Sequence, residues 1–391
     1  MDSHPPPITY PSARVGIIGG GQLGRMLVMA AARLGLHTVV LDPDEDSPAG
    51  QVSKHQVMGT RQDPAKLAEL VRAVDVATFD IEDIDAQALS ALEAEGHVIH
   101  PAPRILALIQ DKLTQKQALA DAGIPTAEFI ALDDPQADDA EAVFQRFGYP
   151  LVQKARRGGY DGRGVAILRQ PGDFPQRLGT PSLLERFVEG AKELAVLVAR
   201  GRDGQMRCYP AVEMCFQESN TLDLLLAPAR VDGDVADAAQ DLARRTVEAL
   251  NGVGVFGVEL FLDHEGRLLV NEVAPRTHNS GHHTIEACYT DQFEQHLRAV
   301  TGLPLGSTEP MRPAAMLNVL GEPGYRGAPV IEGLEAVLAI PGVYVHLYGK
   351  KTTRPYRKMG HMTVLAGDLG TVQVKAERVR KLLRIKGEET I

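Results

Sequence analysis

Val15-Gly16-Ile17-Ile18-Gly19-Gly20-Gly21-Gln22-Leu23-Gly24 opens the first structured part of the chain. The short apolar run predicts a buried strand. The glycines after it let backbone N–H groups approach a phosphate at a helix N-terminus. A helical pattern follows over 26–34 and stops at Gly35, where a C-cap glycine belongs. Thr38-Val39-Val40-Leu41-Asp42 is the next strand. Strand, helix and strand make a βαβ unit, which predicts a parallel sheet with a right-handed crossover. Further helices are expected over 65–73 and 86–95, and further strands over 76–79 and 97–100. This α/β domain ends near Pro101-Ala102-Pro103. Gly19, Gly21 and Gly24 fit G-x-G-x-x-G, with Asp42 at the next strand end. On the motif alone, an NAD-dependent dehydrogenase, another phosphate ligand and plain tight packing all remain open.

The bulk properties narrow the class. A length of 391 residues allows two or three domains. A net charge of −10 argues against nucleic acid or an anionic membrane as partner. Cys208, Cys215 and Cys288 form no C-x-x-C pair and are odd in number, so neither a disulfide framework nor a structural zinc site is expected. No signal peptide and no apolar run of membrane length is evident, and the expected location is the cytoplasm. Residues 1–12, with Pro5-Pro6-Pro7, read as a disordered lead-in.

From Asp111 the pattern changes. A helix begins at Asp111-Lys112-Leu113-Thr114-Gln115-Lys116 and stops at Gly123-Ile124-Pro125. Strand-like runs then dominate, at 150–154, 165–168, 183–185, 194–198 and 256–262, interrupted by a helix over 235–250 and closed by another over 293–300. A smaller last part has short strands and a basic loop from Lys350 to Lys358.

Four stretches carry candidate chemistry. Gly158-Gly159-Tyr160-Asp161-Gly162-Arg163-Gly164 lies between two strands, unlike a Rossmann turn or a Walker A loop. Such a loop suits closure over nucleotide phosphates, with Lys154 as a point charge, and reads equally as a surface hairpin. Glu259 and Glu272 are each embedded in an apolar strand, where an unpaired charge is costly. The turn Asp263-His264-Glu265-Gly266 makes a hairpin of the two strands, so the carboxylates can face each other. With Asn271 they form a Mg²⁺ site, or else salt-bridged strand residues. Pro275-Arg276-Thr277-His278-Asn279-Ser280-Gly281-His282 is dense in donors and suits an oxyanion, or is plain loop. Lys350, Lys351, Arg354, Arg357 and Lys358 form a basic cluster, a solvated surface or a phosphate grip.

Together these residues resemble the 5-(carboxyamino)imidazole ribonucleotide synthase family of the ATP-grasp superfamily. The resemblance rests on residues 19–25, 111–116, 158–164, 275–282, 292–298, 348–350 and 354–361, in order and over nearly the whole chain. It implies a mixed α/β and α+β fold: a Rossmann-like domain at 13–108, an ATP-grasp domain at 109–305 and a small β-rich C-terminal domain at 306–391. It implies that ATP and bicarbonate form carboxyphosphate, and that the amine of 5-aminoimidazole ribonucleotide takes up the carboxyl group in purine biosynthesis. The ATP contacts it implies are Lys112, Lys154, Gly159, Tyr160, Asp161, Gly162, Arg163, Gly164, Val165, Glu185, Arg186, Phe187, Val188, Glu193, Asn271 and Glu272. Glu259 and Glu272 would hold Mg²⁺, with Mn²⁺ as the substitute, and no biotin is expected. Arg276, His278, Asn279 and Asp161 are the implied catalytic residues. Gln22, Leu23, Tyr160, Asp161, Lys350, Arg357 and Lys358 are the implied ribonucleotide contacts, and the implied assembly is a homodimer. The sequence departs from the family at Met214 and Phe216, where an Asn and a His are usual, and at Phe79-Asp80-Ile81-Glu82-Asp83, where Asp80 replaces a Glu. A formate-dependent glycinamide ribonucleotide transformylase or a biotin carboxylase are the alternatives within the superfamily.

Overall fold

In a computed structural model, residues 13–159, 164–216 and 222–390 are described. The opening strand is Arg14–Ile18, flanked in parallel by His37–Asp42 and Val76–Phe79, with His55–Met58 outside His37–Asp42. The expected βαβ unit is therefore present, and its helix Gln22–Arg33 starts directly behind the glycines. The expected strand over 97–100 is reduced to a single bridge between Ala77 and Ile99. The proline-rich break after it starts a helix, Pro103–Ile109, with Pro103 in the first turn where its missing N–H is harmless.

Two further sheets follow. Phe129–Leu132, Ser182–Arg186, Leu151–Ala155 and Val165–Leu168 form a small antiparallel sheet in that spatial order. The glycine-rich loop joins its last two strands; Tyr160, Asp161, Gly162 and Arg163 lie outside the described residues. The large sheet is antiparallel throughout. Its order is Leu268–Ala274, Gly254–Leu262, Lys192–Arg200, Val212–Phe216, Leu222–Ala227, Ala314–Leu320, Lys358–Leu365 and Val343–Leu347. Strands on both sides of residue 305 thus share one hydrogen-bonded sheet, through the pairing of Leu222–Ala227 with Ala314–Leu320. Helix Gly233–Leu250 covers one face, burying Leu242, Val247 and Leu250 against Val196, Val198, Phe256 and Val258. The last part carries a 14-residue helix, Leu369–Leu382, among its strands.

Candidate active site

The hairpin of Gly254–Leu262 and Leu268–Ala274 sets Glu259 directly opposite Glu272. A register shift follows, because Leu260 pairs with Val270 and Asn271 is left over. In a regular strand Asn271 and Glu272 would point to opposite faces. The bulge turns both into the cleft: Nζ of Lys112 donates to Glu272 at 2.8 Å and Nζ of Lys154 donates to Asn271 at 2.9 Å. Lys112 is placed by Asp111, which caps the helix Lys112–Asp121 and is itself held by the Arg156 guanidinium at 2.8–3.1 Å.

Beneath them lies a buried triad. Glu185 is paired with Lys154 at 2.5 Å and with Lys116 at 3.1 Å. Lys116 also donates to the carbonyl of Val270. Burial pushes the Lys116 ammonium down to about 8, although Glu185 opposes this. Sequence reading passed over Lys116, since a lysine in a helix reads as solvated; only its burial gives it away.

The carboxylates are unequal. The Lys112 ammonium holds Glu272 well below the usual range. Burial, then the charges of Glu272 and Glu193, pushes Glu259 well above it. Burial likewise pushes Glu193 up to about 7. Glu259 and Glu272 face each other, and among the described residues no third carboxylate, His or Cys joins them in a metal-ligand cluster. The hard oxygens of this pair suit a divalent cation such as Mg²⁺ whose remaining ligands come from elsewhere.

The loop after the hairpin crosses to the other domains. Nε of Arg276 pairs with Glu82 at 2.8 Å. His278 packs over the sheet because position 257 is glycine, where a Cβ would lie 2.7 Å from the histidine's own Cβ. Gln292 clamps the His278 backbone by accepting from its N–H and donating to its carbonyl, and Nε2 of His278 lies 3.4 Å from Glu259. Asn279 exchanges hydrogen bonds with Asn318 at 3.0 and 3.3 Å. Neither Glu82 nor Asn318 was marked in the sequence analysis as a site residue.

In the basic loop, Lys350 donates to the Lys358 carbonyl at 2.7 Å and Arg357 donates to Thr352. Burial, then the neighbouring Arg357 and Lys358, pushes Lys350 down to about 8.

The first glycine loop has a different occupant from the one its motif suggests. Oδ2 of Asp80 accepts from Gly21 N at 3.0 Å and Gly24 N at 2.9 Å, and Asp42 accepts from Gly20 N at 2.8 Å. An internal carboxylate sits where a dinucleotide's pyrophosphate would. Gln22 is half-buried at the helix start, and the Leu23 side chain packs into the core with Met26 and Leu27. Of the ATP contacts that the resemblance implied, Arg186 lies over the Phe147 ring and pairs with Glu128. Phe187 lies beneath Arg169, and Val188 is half-buried. Gly159, Gly164 and Val165 flank the undescribed loop. Met214 is buried in the sheet beside Leu225 and Glu193, so the usual Asn there is replaced by core packing.

A small antiparallel sheet whose Lys154 meets a carboxylate hairpin, with Lys112 beside it, is the arrangement of the ATP-grasp class. Family models match in the same order: a ribonucleotide synthetase preATP-grasp domain over 12–110, an ATP-grasp domain over 117–293 and a phosphoribosylaminoimidazole carboxylase C-terminal domain over 314–375. The N5-carboxyaminoimidazole ribonucleotide synthase of Synechococcus elongatus is 42% identical, covering 90% of this chain and 90% of that protein. The phosphoribosylaminoimidazole carboxylase of Ogataea methanolica is 43% identical over 91% of this chain, which spans 67% of that longer protein. Of solved structures, the Thermotoga maritima N5-carboxyaminoimidazole ribonucleotide synthetase superposes with a TM-score of 0.88 at 48% identity, covering 96% of this chain and all of that one. The Aspergillus clavatus synthase in complex with ADP and 5-aminoimidazole ribonucleotide gives 0.88 at 36% identity, over 96% and 99% of the chains. The chain belongs to the N5-carboxyaminoimidazole ribonucleotide synthase family.

Proposed function

We propose that this chain uses ATP and bicarbonate to carboxylate the amine of 5-aminoimidazole ribonucleotide, releasing ADP and phosphate. The observation that supports the reading is the position of Arg276, which links the carboxylate hairpin to the N-terminal domain through its ion pair with Glu82. Arg276 feels the charges of both Glu272 and Asp80, and Asp80 in turn acts on Lys350.

In the first step a bicarbonate oxygen attacks the γ-phosphorus, and the bond to ADP breaks. Lys112 and Lys154 hold the phosphates. Glu259 and Glu272, with Asn271 beside them, would hold Mg²⁺ or Mn²⁺, which when bound neutralises charge on the transferred phosphoryl group. Arg276, His278 and Asn279 donate to the acyl phosphate. In the second step the amine attacks the carbonyl carbon, phosphate leaves with its bonding electrons, and the amine gives up a proton. Asp161, outside the described residues, is assigned to receive that amine. Lys350, Arg357 and Lys358 hold the ribonucleotide's phosphate. Carboxyphosphate decomposes in water, so both substrates must be held together in a closed site.

The reaction calls for neither biotin nor formate. Labelled bicarbonate should appear in the imidazole product with avidin present, and formate should not replace it. Arg357→Ala should raise KM for the ribonucleotide roughly 10- to 150-fold, the worth of a hydrogen bond to a charged group. KM for ATP should stay put. Turnover on formate, or equal damage to both KM values, would refute the reading. We further assign a homodimer, on the family resemblance, and the cytoplasm; among the described residues no helix is long and apolar enough to cross a membrane.

A further inference from the structure

Two Gly-His pairs, Gly281-His282 and Gly360-His361, lie in the motifs that supply Arg276, His278, Asn279 and Lys358, yet neither histidine has a part in the chemistry above. Both are fully buried. Their rings stack with centroids 4.6 Å apart, and His361 stacks in turn on His346 at 4.4 Å and 14°. Phe293 closes one end of this column, 5.9 Å from His282. Glu286 anchors the other, 2.6 Å from Nε2 of His346. The Tyr348 hydroxyl meets Nδ1 of His361 at 2.9 Å, and Gln292 donates to Nδ1 of His282 at 3.3 Å. The glycines permit the approach: a Cβ at 281 would lie 2.3 Å from Leu197, and one at 360 would lie 2.5 Å from the His346 carbonyl.

Nε2 of His282 and Nε2 of His361 have no hydrogen-bond partner among the described residues. Each ring thus makes a side-chain hydrogen bond through Nδ1 alone and offers its flat face to the stack. Burial keeps both well below the ordinary imidazole range, so these two rings are uncharged near neutral pH. Its placement is what distinguishes it. His282 ends the loop that carries Arg276, His278 and Asn279. His361 follows Lys358 on the same strand, and Tyr348 precedes Lys350 by two residues. Tyr348 also packs in one cluster with Leu23, Met26 and Leu27 of the N-terminal domain.

We propose that the stacked rings of His282, His361 and His346 are positioning residues that fix the oxyanion loop against the phosphate-gripping strand, and so hold the acyl phosphate within reach of the ribonucleotide amine. The proposal rests on the function assigned above. A misplaced loop would still make carboxyphosphate but would lose it to water, so the signature is uncoupling rather than inactivity.

The test counts phosphate released per carbamate formed, using ATP, labelled bicarbonate and 5-aminoimidazole ribonucleotide. Wild type should give a ratio near one; no carbamate from wild type would refute the assigned function rather than the column. His361→Ala should waste ATP, raise KM for the ribonucleotide, and slow carbamate formation by up to about a hundredfold, the cost of a misplacement of about an ångström. KM for ATP should not change. His361→Phe keeps a flat ring and should return the ratio to within about threefold of wild type. A His361→Ala enzyme that melts earlier but stays coupled would show mere core filling and overturn the proposal. So would a His361→Phe enzyme as uncoupled as the alanine variant. If His361→Ala does not fold, His346→Ala, at the more open end of the column, is read by the same ratio.

Discussion

Glu259 and Glu272 face each other across one hairpin, but replacing each by glutamine should move stability in opposite directions. Glu272 is matched to Lys112, so Glu272→Gln strands an ammonium. With 40% of that side chain open to solvent, the loss should be about 1 kcal/mol or less. Glu259 is crowded by Glu272 and Glu193, so Glu259→Gln should relieve repulsion. The sign with pH follows. Its carboxyl is raised above the ordinary 4.5 in the folded protein, so its contribution is complete below that value and is lost as pH rises. Melting curves without nucleotide, from pH 5 to pH 8 or so, should show wild type falling relative to Glu259→Gln; parallel curves would remove the repulsion. Both variants should lose at least about a hundredfold in kcat, the scale of one preorganised electrostatic contact. The carboxylates themselves were legible, because charge in an apolar strand needs a reason. The bulge at Asn271 was not, since strict alternation sends that side chain to the other face and nothing local marks the extra residue.

Among the elements, the first glycine loop departs most from its sequence signature. Its glycines, its helix and the acidic strand end were all visible, and the βαβ geometry came out as expected. The occupant was not, because Asp80 arrives from a strand some sixty residues away and motif matching reads only neighbours. Gly19 has φ of +111°, and a Cβ there would sit 1.7 Å from Asp80 Oδ1. Gly19→Ala should therefore destabilise by about 2–4 kcal/mol, joining backbone strain to overpacking. Asp80→Gly in the same chain should recover the overpacking part but not the strain. Denaturant melts of the two single variants and the double variant give the coupling. Additive losses would mean that Asp80 does not fill the loop. Other elements escaped sequence reading for simpler reasons. The strand His55–Met58 and the helix Ala140–Phe147 are too short for their periodicity to stand out.

For the molecule as a whole, the order of three domains was legible from motifs, whereas the sharing of one sheet across residue 305 was not. Pairing between Leu222–Ala227 and Ala314–Leu320 joins segments almost a hundred residues apart, and no local pattern announces such a partner. A chain cut after residue 305 would leave Leu222–Ala227 as a bare apolar edge, which invites aggregation. We expect that fragment to be recovered only as aggregate, and the intact chain to protect the amides of both strands alike in hydrogen exchange. The small sheet over 129–186 should exchange faster, as a separately opening unit. A soluble fragment with native circular dichroism would show that the last part is dispensable to the sheet.

The same sheet bears on inhibitor design. Glu259 and Lys358 sit on strands of one continuous hydrogen-bonded ladder. On the roles proposed above, a compound carrying a polyphosphate mimic on one arm and a ribonucleotide phosphate mimic on the other would meet anchors held by one sheet. Its tether can therefore be stiff. Stiffness forfeits nothing against fixed anchors and spares the entropy that a flexible linker surrenders on binding.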